Sequence, residues 1–145
     1  MSDVYEVLAI RYGHHKRNAS ENFIGGDPHD LPMPLDYFVW VIRNEQRTIV
    51  VDTGFGAESG ARRKRELVRP VAEGLQAAGV DVGKVKDVII THMHYDHAGN
   101  NHLFPAASFH LQDSEMAFAT GRCMCHPLGN HPYDVDAVAG LVYKV

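Results

Sequence analysis

Val88-Ile89-Ile90-Thr91-His92-Met93-His94-Tyr95-Asp96-His97-Ala98-Gly99-Asn100 is an apolar, β-branched triplet that runs directly into H-x-H-x-D-H. The triplet predicts a strand, and the polar run predicts a loop that enters a short helix. Alternation at a strand end puts His92 and His94 on one side, where both imidazoles can grip one ion. Asp96 and His97, one turn on, can face a second ion a few ångströms away. Neutral imidazole and carboxylate suit Zn²⁺ and similar first-row cations. Two adjacent metals can share a hydroxide and clamp a reacting carbonyl or phosphoryl oxygen. Chance placement of this pattern has a frequency of roughly 0.003 in a chain of this composition, so a solvated polar loop is a poor explanation for it.

Working outward, residues 4–12 place Val4, Glu6, Leu8 and Ile10 on one side of a first strand. Residues 13–34 hold Gly25, Gly26, Pro28, Pro32 and Pro34 and predict a long loop. Residues 37–43 and 48–52 are β-branched and aromatic runs split by Asn44-Glu45-Gln46-Arg47, which predicts a hairpin buried on both faces. Asp52-Thr53-Gly54 ends it at a turn. A helical stretch follows, with Pro70 in a first turn, Val71, Leu75 and Ala78 on its buried face, and Gly79 as its C-terminal stop. Residues 85–91 and 108–112 predict two more strands. Asp113 predicts the cap of a helix to about Ala119, with Glu115 in its first turn. A last helix near Asp134 should turn Val135, Val138, Leu141 and Val142 to one face. The order specifies a mixed α+β fold with helices packed on a sheet, and a single domain over residues 1–145.

The 145 residues carry 14 Lys+Arg against 18 Asp+Glu, a net charge of -4, which argues against nucleic-acid binding through bulk charge. No apolar run reaches the roughly 18 residues a membrane helix needs. The opening residues, with Asp3 and Glu6, lack the basic and apolar regions of a signal peptide. Cys123 and Cys125 are too close in sequence for an ordinary structural disulfide, so a reducing cytoplasm is expected. The ten histidines are the unusual number.

The stretch Thr91-His92-Met93-His94-Tyr95-Asp96-His97-Ala98-Gly99-Asn100 resembles the metallo-β-lactamase superfamily of hydrolases, and Val50-Val51-Asp52-Thr53-Gly54 extends the likeness upstream. Ala9-Ile10-Arg11-Tyr12, Phe23-Ile24-Gly25-Gly26-Asp27-Pro28-His29-Asp30 and Met33-Pro34-Leu35-Asp36-Tyr37 look like the N-acyl homoserine lactonase branch. The resemblance implies an αββα sandwich and two Zn²⁺ per complete domain, or other divalent first-row metals. His92 and His94 would hold the first metal, and Asp96 and His97 would help hold the second. It implies a metal-dependent hydrolase acting on a small lactone or ester, with no nucleic-acid or membrane partner and a homodimer left open. A metal-held hydroxide would attack the lactone carbonyl, and Asp96 would pass the proton to the leaving alkoxide. A glyoxalase II-like thioesterase is the enzyme alternative, and a non-catalytic fragment the alternative of another kind. The family's third histidine, bridging aspartate and last histidine lie in a later half, and no Gly-His-Thr-Pro-Gly-like segment follows His97 here. The chain is therefore expected to be largely the N-terminal half of such a domain, apparently truncated and inactive by itself.

Cys123-Met124-Cys125-His126 lacks zinc-finger spacing, so its cysteines are expected to be buried as small hydrophobes, with His126 or His131 a minor candidate for the missing ligand. Asp52 is either an acceptor that orders the metal loop or a turn-former before Gly54. His14, His15 and His29 are expected to be solvated in the long loop, and Arg62-Arg63-Lys64-Arg65 to be a solvated helix face. Phe23, Met33, Leu35 and Tyr37 are expected to pack in the core, with an acyl pocket as the alternative.

Overall fold

The computed structural model describes residues 4–145, so the segment around Asp3 lies outside the described residues. In chain order the elements are β1 (Glu6–His15), α1 (Ala19–Asn22), β2 (Leu35–Arg43), β3 (Thr48–Val51), α2 (Ala57–Arg62), β4 (Glu66–Leu67), α3 (Val71–Ala77), β5 (Asp87–Ile89), α4 (Tyr95–Ala98), β6 (Ser108–His110), α5 (Asp113–Ala119), α6 (Pro127–Asn130) and α7 (Val135–Val142). The strands form one mixed sheet in the order β4-β1-β2-β3-β5-β6. Pairing is antiparallel from β4 through β3 and parallel from β3 through β6. The mixed α+β class expected from the element order is what the chain adopts.

The expected hairpin is β2–β3, closed by Asn44, whose side chain accepts from the amides of Gln46 and Arg47. Its burial differs from expectation. Val39, Val41 and Val50 are fully buried, whereas Phe38 and Trp40 on the opposite face are 37% and 41% exposed. The register lines up Ala9, Trp40, Val51, Ile89 and His110 across five strands, so this second face is a continuous, largely apolar surface. A sheet covered on one side needs apolar residues at alternate positions only. The aromatic pair at Phe38 and Trp40 therefore exceeds what the observed packing uses.

The covered face joins Ile10, Tyr12, Val39, Val41, Val50, Val88 and Phe109 to Val71 and Leu75 of α3 and Leu141 of α7 in one core. The end of α3 follows the capping logic of its sequence. Gly79, at φ +79, donates to Gln76 O, and Val80 donates to Leu75 O at 2.9 Å, the paired bonds of a left-handed glycine cap. Pro70 sits one residue earlier than expected, as the N-cap.

Several expectations need correction. β1 continues through a bulge at Tyr12, between Arg11 and Gly13, to His15, so His14 and His15 belong to a strand rather than a loop. His14 pairs with Asp36 at 2.7 Å, and only His29 is fully solvated in character. Phe23, Met33 and Leu35 are exposed rather than core, while Tyr37 packs edge-on to Phe55. Val135 and Val142 are exposed although they share a helix with buried Val138 and Leu141. Cys123 and Cys125 are exposed, not buried. The basic run is not one solvated face. Arg63 lies over the Tyr95 ring at 4.1 Å, and Arg65 bonds to Tyr95 Oη and His15 Nε2.

Asp134 ties α2 to the start of α7. Its carboxylate accepts from Ser59 Oγ at 2.6 Å and from Arg62 and Arg63 at 2.8 and 3.0 Å. Burial alone would raise its pKa, but these hydrogen bonds and charges hold it below the ordinary Asp range. A carboxylate with a depressed folded-state pKa contributes stability that is present above its unfolded value, about 3.9, and lost as pH falls through the folded value. Asp134→Asn should cost about 2 kcal/mol at neutral pH and flatten the acid limb of a denaturation profile below about pH 4. An acid limb unchanged in the variant would contradict this role.

Candidate metal centre

β5 carries its backbone pairing one residue past Ile89, where Ile90 N donates to His110 O at 2.9 Å. The chain then leaves the sheet as Thr91-His92-Met93. Met93 is fully buried and His92 and His94 are not, so the expected alternation holds, with the methionine as anchor and both imidazoles on the outer side. Their rings stand 4.4 Å apart at 71°. His94 caps α4, which starts at Tyr95 and carries Asp96 and His97 in its single turn. The His97 ring lies 3.9 Å from that of His92, and His97 Nε2 is 3.5 Å from Asp96 Oδ2. All four residues expected at the site are thus brought together.

The D-T-G turn locks this arrangement from beneath. Asp52 is 3% exposed and has φ 63, a left-handed conformation that Asp tolerates better than most residues. Its Oδ1 accepts from Thr91 N at 2.8 Å, and its Oδ2 accepts from Thr91 Oγ1 at 2.9 Å and His97 Nδ1 at 2.7 Å. Asp52 is therefore both the turn residue and the acceptor that orders the loop. Since an ionised carboxylate only accepts, His97 Nδ1 carries the proton and Nε2 is left facing Asp96. Thr53, fully buried, bonds to His97 O and Asn101 Oδ1 and accepts from Asn100 N. Tyr12 Oη donates to Asp96 O at 2.6 Å. Gly99 donates to Gly54 O, and a Cβ there would fall 2.7 Å from Tyr95 O and 2.8 Å from Gly54 O, so only glycine fits where the two turns meet.

The electrostatics separate the histidines. Burial lowers the His92 pKa, aided by the charge of His97, and burial with the His92 charge lowers that of His94. Burial would also lower that of His97, but the Asp52 hydrogen bond and the Asp52 and Asp96 charges overcome it and raise the value. His92 and His94 are accordingly the neutral imidazoles that metal ligation needs.

The donor chemistry suits a first-row metal ion, and one of the two pairs has a ligand-like spacing. Two ligands on a tetrahedral zinc, each about 2.0–2.1 Å from it, lie about 3.4 Å apart, close to the 3.5 Å between Asp96 Oδ2 and His97 Nε2. Among the described residues no three His, Cys, Asp or Glu side chains form a grouping able to hold a metal ion. His126 and His131 thus complete no such group here. His126 Nδ1 accepts from Leu128 N, and the His131 carbonyl accepts from Arg63. A cleft of about 900 Å³ is lined by Arg62, Arg63, Asn100, His131, Tyr133 and Asp134 among others, and by none of the four candidate ligands.

Two residues at the site escaped the sequence reading. Glu115 Oε1 accepts from Met93 N at 2.8 Å and from Tyr133 Oη at 3.1 Å, and the Tyr133 ring stands edge-on to His94 at 4.9 Å. Glu115 registers in sequence only as a first-turn helix acid. Tyr133 carries no local signal at all.

The sequence pattern of the metallo-beta-lactamase superfamily matches residues 33–115. No curated protein sequence is significantly similar to the chain. Among solved structures, a quorum-quenching N-acyl homoserine lactone lactonase superposes with a TM-score of 0.69 at 18% identity, over 91% of this chain and 52% of that one. AidC, a dizinc quorum-quenching lactonase in complex with a product, gives 0.69 at 17% identity, over 97% and 56%. A B. thuringiensis AiiA variant with N-decanoyl-L-homoserine bound gives 0.67 at 18%, over 91% and 55%. The chain spans about half the length of these structures. At such identity the likeness is one of fold. No helix among the described residues is long and apolar enough to cross a membrane.

Proposed function

Because this chain belongs to the metallo-beta-lactamase superfamily, we propose that it supplies part of the active centre of a zinc-dependent hydrolase that opens the lactone ring of N-acyl homoserine lactones. The observation that carries this reading is the pairing of His92 with His94 beside Asp96 with His97, all on a loop that Asp52 fixes from below. The lactone is supported by the neighbours described as lactonases, one of them dizinc.

His92 and His94 would hold one ion through neutral imidazoles, and Asp96 with His97 Nε2 would hold another. A zinc ion bound there supplies a Lewis acid for the carbonyl and lowers the pKa of bound water. The rest is the work of this chain. Asp52 keeps the His97 proton on Nδ1, so that Nε2 stays directed outward. Asp96, anchored through its carbonyl by Tyr12, keeps its carboxylate partly exposed beside the histidines. During ring opening its oxygen takes the proton released by the attacking water. It returns that proton to the alkoxide oxygen as the C–O bond of the lactone breaks.

A longer protein containing residues 1–145, supplied with zinc, should open N-hexanoyl-homoserine lactone faster than it hydrolyses S-lactoylglutathione. Faster thioester turnover would assign the chain to a glyoxalase II-like reaction instead. The second reading is a non-catalytic chain. Failure of the longer, zinc-supplied protein to turn over either ester would select it.

A further inference from the structure

We infer that Glu115 and Tyr133 are positioning residues that set the spacing of His92 and His94, an inference that rests on the metal-site reading above. Met93 lies between the two ligands, is fully buried, and presents a backbone N–H outside the strand ladder, which ends at Ile90. A buried donor of this kind needs an acceptor. The acceptor comes from 22 residues away, where Glu115 Oε1 takes the Met93 N–H at 2.8 Å. A carboxylate acceptor makes the bond charge-assisted, and stronger than the carbonyl bond a further strand residue would offer.

The same oxygen takes the Tyr133 hydroxyl at 3.1 Å, which turns the Tyr133 ring edge-on to His94 at 4.9 Å and 82°. The backbone repeats the contact. His94 and Tyr133 form an isolated antiparallel bridge, and Tyr95 N donates to Pro132 O at 2.8 Å. Tyr133 is in turn held by its neighbour Asp134, clamped to Ser59, Arg62 and Arg63. One carboxylate therefore fixes the backbone between the two histidines and, through the tyrosine, the ring of the second. Asp52 does the corresponding work for His97 from the other side of the loop.

Three variants of the 145-residue chain test this. Glu115→Ala removes the acceptor. Glu115→Gln keeps an oxygen that can accept both bonds but removes the charge. Tyr133→Phe keeps the ring and removes the hydroxyl. Amide hydrogen exchange at Met93, read by NMR without metal, should be at least tenfold faster in Glu115→Ala and within about threefold of the parent in the other two. Zinc affinity, read by titration against a chromophoric chelator, should fall 10–100-fold in Glu115→Ala, the range for outer residues of metal sites, fall by a smaller factor in Tyr133→Phe, and be largely kept in Glu115→Gln. Parental affinity in Tyr133→Phe would remove the tyrosine from this role. Unchanged Met93 exchange in Glu115→Ala would overturn the inference. So would an equal loss of zinc affinity in the glutamine and alanine variants, which would make the effect one of charge alone. If the parent and a His92→Ala/His94→Ala variant bind zinc equally, the metal-site reading fails, and Met93 exchange still decides whether Glu115 braces the loop.

Discussion

His92→Ala combined with His94→Ala should reduce zinc bound by the purified chain to background, an affinity loss above the 10–100-fold typical of outer residues around a metal. The two imidazoles are held neutral by burial, stand 4.4 Å apart, and share the outer side of a loop whose inner side is filled by Met93. Removing both leaves the pair formed by Asp96 and His97, which by itself has half the donors of a four-coordinate site. Because the histidines are partly exposed, and the side-chain bond of His92 Nδ1 to Thr91 Oγ1 at 3.2 Å lies on the exposed side of a loop that Asp52 already holds, the variant should unfold within a few degrees of the parent's temperature. The check is zinc per chain by elemental analysis, with thermal unfolding measured on the same samples. Equal zinc in variant and parent would remove these two residues from the site.

The second large effect is expected at Asp52. Truncation to alanine removes a carboxylate that is 3% exposed and leaves the Thr91 amide, the Thr91 hydroxyl and His97 Nδ1–H without their acceptor, Thr91 itself being open to water. Unsatisfied buried donors cost about 1–3 kcal/mol each, partly relieved by water, so a total of about 3 kcal/mol is expected, or a fall of about 6–12 °C in Tm for a chain of this size. Asp52→Asn separates the hydrogen bonds from the backbone, since asparagine also tolerates φ 63. It should recover part of the stability. Zinc affinity should fall in both variants, because an amide can donate as well as accept and no longer fixes the His97 tautomer. A change in stability below about 1 kcal/mol for Asp52→Ala would show that this carboxylate does not order the loop.

What could be seen in the sequence depended on whether the cause was local. H-x-H-x-D-H was legible because alternation at a strand end and the first turn of a helix fix where four neighbouring side chains go. The same holds for the Asn44 hairpin and for Gly79, whose positive φ ends α3. Partners far apart in sequence were invisible. Nothing in the vicinity of Tyr133 signals that it will lie against His94, or near Glu115 that it will accept from Met93. β4 is two residues long and has no periodicity, so nothing in the sequence separates it from its flanks, and the expected helical stretch is in fact α2, β4 and α3. Hydrophobicity also failed to distinguish faces. By residue type Phe38, Trp40, Phe23 and Leu35 belong in the interior, yet all four are exposed. The basic run misled in the opposite sense, because the arginine stem and guanidinium pack well on an aromatic ring, as Arg63 does on Tyr95.

The most direct measurement is lactone opening per mole by the 145-residue chain with added Zn²⁺, set beside a longer protein that contains it. The donors proposed above are two pairs, His92 with His94 and Asp96 with His97, and no group of three metal-holding side chains is found among the described residues. Catalytic zinc generally takes three protein ligands and a water. The 145-residue chain is therefore predicted to turn over N-hexanoyl-homoserine lactone more than tenfold more slowly than the longer protein. Activity within tenfold of the longer protein would show that these two pairs suffice, and would contradict the account of the centre as one that needs further donors.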